Sequence, residues 1–135
     1  MSCVFCAIAR GEAPARIVYE TDAVVCFFPL APEVLGHTLI ATKAHFDDAR
    51  TCPPETGAQV FAAAQLLYRH YAGALGATGF NLLSANGVDA EQSVQHLHSH
   101  FLPRRAGDGL STWPKLPPFA TDLDALHARL RVASE

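Results

Sequence analysis

Three imidazoles stand at two-residue spacing in Gln92-Ser93-Val94-Gln95-His96-Leu97-His98-Ser99-His100-Phe101-Leu102-Pro103-Arg104, three of the seven histidines in a chain of 135 residues. Imidazole serves as nucleophile, general acid, general base or metal ligand near neutral pH, and a row of rings can divide these tasks. Alternation with Leu97 and Phe101 predicts a β-strand over 95–102, with the rings on one face and successive ones roughly 6.6 Å apart. Two assignments are open on the residues alone. Either all three bind one metal, or one serves a metal while the others act on a substrate.

Cys3-Val4-Phe5-Cys6 is a C-x₂-C knuckle that can put two thiolates on one ion, and a closed tetrahedral Zn²⁺ site would need two more ligands. His45 and His96 are candidates, but spacing does not choose among the histidines. The bland alternative is a pair of small buried residues. Cys26 and Cys52 read as a core residue and a loop thiol, and His70 and His127 as surface or packing residues on helices.

The elements that must position these groups follow from period and punctuation. Residues 3–10 predict a short helical turn running into Gly11. Residues 15–20 and 23–28 predict a hairpin, Pro29 and Pro32 an irregular loop, and 37–42 a third strand entered through Gly36. Val60, Ala64, Leu67, Tyr71 and Leu75 fall at helical spacing in a long helix over 53–75, with Thr51 as N-cap and Gly76 past its end. Strands at 80–84 and 95–102 are joined through Asn86-Gly87. After a loose connection over Pro114 to Pro118, Thr121-Asp122-Leu123-Asp124 opens a last helix carrying Leu123, Leu126 and Leu130. Hairpins and single-helix connections predict an α+β domain on an antiparallel sheet.

Half of the residues are apolar, 17% are charged and the formal net charge is -3. That describes one soluble domain over 1–135 with no global attraction for nucleic acid, and Arg104 and Arg105 alone make no nucleic-acid patch. The longest apolar stretch, Ala23 to Leu35, is broken by Pro29, Pro32 and Glu33 and falls short of a membrane span. Met1 is followed at once by Cys3 and Cys6 rather than by a secretion signal, so a reducing, cytoplasmic setting with free thiols is expected.

The chain resembles the histidine triad (HIT) family. The resemblance rests on Gln92-Ser93-Val94-Gln95-His96-Leu97-His98-Ser99-His100-Phe101-Leu102, followed by Pro103-Arg104 and Gly107-Asp108-Gly109. Cys3-Val4-Phe5-Cys6, Val18-Tyr19-Glu20, Gly36-His37-Thr38-Leu39-Ile40 and Lys43-Ala44-His45 stand in the same order. It implies a HIT-like fold: a five-stranded antiparallel sheet, one long helix and a C-terminal helix, with a zinc knuckle segment at 1–10 and a C-terminal extension at 110–135. It implies one structural Zn²⁺ per chain on Cys3, Cys6, His45 and His96. His98 would attack the α-phosphorus of a nucleotide phosphoramidate or of an anhydride such as a dinucleoside polyphosphate, giving a nucleotidyl-histidine that water hydrolyses. His37 and His100 would surround the phosphate. Ser93 would contact the leaving group or phosphate, Gln92 would help shape the same loop, Asn86 would stand in for the phosphate-contacting amide one residue earlier, and Val4, Phe5, Ile8, Phe27 and Leu30 would hold the base. The resemblance further implies a homodimer, in which Trp113 and Pro114 could help specify substrate across the dimer.

Several positions depart from the family pattern. Pro29 stands where an Asp usually accepts hydrogen bonds from ribose hydroxyls, Ala85 where an amide touches the phosphates, and Glu91 where Gly commonly precedes Gln92. Leu35 and Thr42 replace prolines and read as loop adjustments. Pro29, Ala85 and Glu91 favour one rival, a zinc-stabilised nucleotide- or protein-binding module with little or no turnover; a further rival makes the histidine triplet itself a catalytic metal site, with the cysteines uninvolved.

Overall fold

A computed structural model describes residues 3–133. The elements run α1 (Val4–Ala9), β1 (Ile17–Glu20), β2 (Val24–Phe27), β3 (Thr38–Thr42), α2 (Pro54–Leu75), β4 (Gly79–Leu83), a 3₁₀ turn (Val88–Ala90), β5 (His98–Arg104) and α3 (Leu123–Leu130). The strands form one five-stranded sheet in the order β1-β2-β3-β5-β4, with every neighbouring pair antiparallel. This is the expected α+β architecture.

Both faces of the central strands are covered, which is why Val24–Phe27 and Thr38–Thr42 are buried throughout. Val24, Cys26, Ile40 and Phe101 pack against Val60, Ala63, Ala64, Leu67 and Tyr71 of α2. On the opposite face Val25, Phe27, Leu39 and Ala41 meet Phe5 and Ile8 of α1. Since α1 has only six residues, it covers that face incompletely and leaves a cleft beside it.

Helix α2 ends as expected at Gly76, whose φ of 72° suits the left-handed C-terminal position. Its start differs from the expectation: Pro53, not Thr51, is the N-cap residue, with no side-chain cap. Pro54 lacks an N–H where none would be bonded, and Thr56 N–H closes the turn onto the Pro53 carbonyl at 3.0 Å. Asp122 caps α3 by accepting from the N–H groups of Asp124 and Ala125. No side chain of α3 is buried, and residues 105–122 carry neither helix nor strand.

The last strand also departs from the expected 95–102, beginning at His98 and running to Arg104. A tight turn precedes it, in which His96 N–H reaches the Val94 carbonyl at 2.9 Å. His96 therefore stands off the row that His98 and His100 form on β5. The turn thus places the His96 ring apart from theirs.

Candidate metal centre and active site

Cys3 is the N-cap residue of α1 and Cys6 lies one turn on, so the knuckle delivers both thiols from one short helix. Cys3 Sγ lies 3.3 Å from His96 Nδ1, Cys6 Sγ 3.3 Å from His45 Nδ1, and the two Nδ1 atoms 3.2 Å from each other. Ligand atoms of all four residues fall within 4.8 Å of one another.

The outer nitrogens fix the inner ones. His96 Nε2–H donates to the Thr42 carbonyl at 2.7 Å and His45 Nε2–H donates to Asp47 Oδ1 at 3.0 Å, so both Nδ1 lone pairs point inward. Two lone pairs facing each other at 3.2 Å repel unless a proton or a cation lies between them. Tetrahedral zinc with ordinary bond lengths would set edges of about 3.3 Å between nitrogens and about 3.6 Å between nitrogen and sulfur. The donor set fits that ion. Burial also holds His96 below the ordinary imidazole range, which keeps it in the neutral form a metal needs.

The second cluster is built from His37, His98 and His100. Gly36, with φ 84°, leads into His37; a Cβ there would come within 2.8 Å of both Leu75 and Pro103 side-chain atoms, so only glycine lets the strand enter this closely. His98 Nδ1–H donates to the His96 carbonyl at 2.7 Å, which leaves Nε2 as a bare lone pair. Glu33 N–H donates to His37 Nδ1 at 3.1 Å, so His37 carries its proton on Nε2 and donates it to His100 Nδ1 at 2.9 Å. His100 then bears an outward Nε2–H. The backbone thus specifies one nucleophilic nitrogen next to one hydrogen-bond donor. Burial pushes both His37 and His100 below the ordinary imidazole value, His100 further through its histidine neighbours.

A cleft of about 630 Å³ opens on the same side of the sheet, and Val4, Phe5, Ile8, Phe27 and Leu30 all line it. Phe5 joins the cleft to the chemistry, because its ring lies edge-on to His98 with centroids 5.1 Å apart. Leu39, also in the wall, pairs with His100 across β3 and β5. A sequence model of the HIT domain matches residues 10–107. This chain belongs to the histidine triad family.

The matched span omits the cysteine knuckle and the segment after residue 107. Relatives cover more of the chain. Adenylylsulfatase HINT3 of Arabidopsis thaliana is 36% identical over 95% of this chain, which spans 65% of that protein's length. The adenosine 5'-monophosphoramidase of Schizosaccharomyces pombe is 32% identical over 93% of each chain. The crystal structure of a zinc-bound histidine triad family protein from Mycobacterium smegmatis superposes with TM-score 0.78 at 42% identity, over 83% of this chain and 81% of that one.

The remaining expected residues of this histidine triad chain fall on the loop between β4 and β5. Ser93 is exposed there. Gln92 is buried and braces the loop: its Oε1 accepts from Gly87 N–H, and its Nε2 donates to the carbonyls of Asp47 and Val94. Asn86 is likewise committed, accepting from Ala49 N–H and donating to Ser84 Oγ. Both amides shape the loop and leave Ser93 as its free hydroxyl. Arg16 and Phe28 line the cleft without having been expected there. The signal was the hairpin register, since Phe28 N–H bonds the Arg16 carbonyl. Nothing in the sequence singled out Asp47.

Proposed function

We propose that this protein is a zinc-stabilised nucleotide hydrolase or transferase that cleaves a nucleotidyl phosphoramidate or phosphoanhydride at the α-phosphorus. The hydrogen-bond order of the histidines carries this reading, because it gives His98 an unprotonated Nε2 beside the Nε2–H of His100. In the proposed reaction Nε2 forms a bond to phosphorus as the bond from phosphorus to the leaving group breaks, and the leaving group takes a proton from solvent. Water then attacks phosphorus and gives a proton back to solvent, the N–P bond breaks, and the electron pair returns to Nε2 with release of a mononucleotide. The His37–His100 pair would offset charge on the non-bridging oxygens, the main electrostatic demand of such a transfer. The apolar cleft beside Phe5 would take the base.

The named activities of the Arabidopsis and fission-yeast relatives support an adenylyl-type substrate. Cys3, Cys6, His45 and His96 would hold the metal, whose closed coordination suits structure rather than catalysis. The thiols fit a reducing, cytoplasmic setting. A homodimer is the proposed assembly: β4 is an edge strand, and Phe61, 60% exposed, lines a groove with Leu82 of that strand. Light scattering at micromolar concentration should give twice the mass of one chain.

The test incubates the protein and its His98→Ala variant with adenosine and guanosine phosphoramidates, dinucleoside polyphosphates and adenylyl sulfate, and follows mononucleotide release by chromatography. Release reduced at least about 1,000-fold in His98→Ala is expected for loss of the nucleophile. Equal release from both proteins would sink the mechanism. A second reading, a nucleotide-binding module with little turnover, is favoured by Pro29 in the cleft wall; tight nucleotide binding without product from any substrate would select it.

A further inference from the structure

We propose that Asp47 is the positioning residue of the metal centre, holding His45 so that Nδ1 rather than Nε2 meets the ion. The inference rests on the reading that Cys3, Cys6, His45 and His96 hold a metal. His96 needs no help, since it is fully buried and its outer N–H is fixed by a main-chain carbonyl of β3. His45 is the exposed member of the four. On an exposed imidazole either nitrogen could turn inward, and something must choose.

Asp47 Oδ1 makes that choice from two residues away, accepting Nε2–H at 3.0 Å. It touches the nitrogen remote from the cluster, so it orients a ligand instead of competing to be one. Its carboxylate also makes the imidazole a better donor. An exposed His–Asp pair on a loose loop would carry little energy, but this loop is pinned residue by residue. The Phe46 carbonyl accepts from Leu97 N–H at 2.7 Å, the Asp47 carbonyl accepts from Gln92 Nε2 at 2.6 Å, and Ala49 N–H is held by Asn86. Asp48 and Arg50 close the turn with a two-point ion pair. The main chain of residue 47 is thus set by the loop that carries Ser93, independently of its side chain. Removing the carboxylate should leave the loop in place and free only His45.

The experiment compares full-length wild type, Asp47→Ala, Asp47→Asn and Cys6→Ser. Zinc affinity is measured by competition with a chromogenic chelator, and the visible spectrum is recorded after loading with Co²⁺. Loss of an orienting carboxylate typically costs 10–100-fold in metal affinity. Asp47→Ala is expected to bind zinc about 10-fold or more weakly, with altered Co²⁺ d–d bands as His45 changes its donor atom or leaves. Asp47→Asn, which keeps an acceptor but not the charge, should recover part of the affinity. Asp47→Ala with wild-type affinity and an unchanged spectrum, while Cys6→Ser loses the metal, would overturn the role of Asp47. Wild type and Cys6→Ser binding zinc equally poorly would instead remove the metal centre on which the inference rests.

Discussion

Residues 29 and 91 show how single side chains depart from the histidine triad pattern for different physical reasons. Pro29 lies in the cleft wall and offers no side-chain acceptor to a sugar hydroxyl. Pro29→Asp would supply a carboxylate, and a hydrogen bond to a charged group contributes about 1.5–3 kcal/mol. KM for an adenosine phosphoramidate should therefore fall about 10-fold, with less change for its 2',3'-dideoxy analogue. Equal effects on both would place the sugar elsewhere. Glu91 is the only non-glycine residue with positive φ among the described residues, at 68°. A left-handed conformation costs an L-residue with a Cβ roughly 1–2 kcal/mol, partly offset in a glycine variant by the greater freedom of its unfolded chain. Glu91→Gly should stabilise the protein by about 0.5–1 kcal/mol in urea denaturation, and a lower midpoint would show that the Glu91 side chain makes a compensating contact.

Helix α1 shows why a metal would matter to a cleft it does not enter. Six residues are too few to hold a helix in water without tertiary support. Phe5 and Ile8 supply one anchor and the two cysteines the other, while Val4, Phe5 and Ile8 also form the cleft wall. Chelating the metal should lower the thermal midpoint by several degrees and raise KM about tenfold or more, the equivalent of about 1.4 kcal/mol of substrate binding. Turnover at saturating substrate should fall less, because β5 and the His37–His100 bond are built from the sheet. Equal losses in kcat and kcat/KM, with KM unchanged, would show that α1 positions His98 instead. The elements themselves were legible where a strong period ran unbroken, as in α2 from Val60 to Tyr71 and in the apolar strands β2 and β3. Legibility stopped where hydrogen bonds between distant segments decide the outcome. The start of β5 is set by the turn at His96 and its bond to Thr42, and the α2 cap by the double proline. The four residues named together by resemblance do meet in space, yet the Nδ1 geometry depends on Thr42 and Asp47, which no spacing rule connects to them. Asn86, expected as an amide for the phosphates, instead holds Ala49 N–H and Ser84, and Gln92 braces its loop through the Asp47 carbonyl; residues 47 and 49 come from another part of the chain.

Across the molecule α2 covers one face of the sheet and both histidine clusters lie on the other, so acid acts on stability through the face that carries the histidines. His37 and His100 are held below the ordinary value of 6.5 mainly by burial, with Glu33 opposing the shift at both. In the unfolded chain both return to about 6.5. As pH falls through that value the unfolded chain takes up protons that the native rings still refuse, and stability must fall with it. The contribution is fully present above about pH 6.5 and declines below it, towards the depressed native values. Protonation of cysteine and histidine ligands would weaken a bound metal with the same sign, so wild type alone cannot assign the effect. A His37→Gln/His100→Gln double variant retains the metal ligands and removes the two rings. Urea denaturation of both proteins with saturating zinc at pH 7.5, 6.5 and 5.5 separates the two sources. Wild type should lose more stability than the double variant between pH 6.5 and 5.5, whereas parallel losses would assign the acid sensitivity to the metal centre.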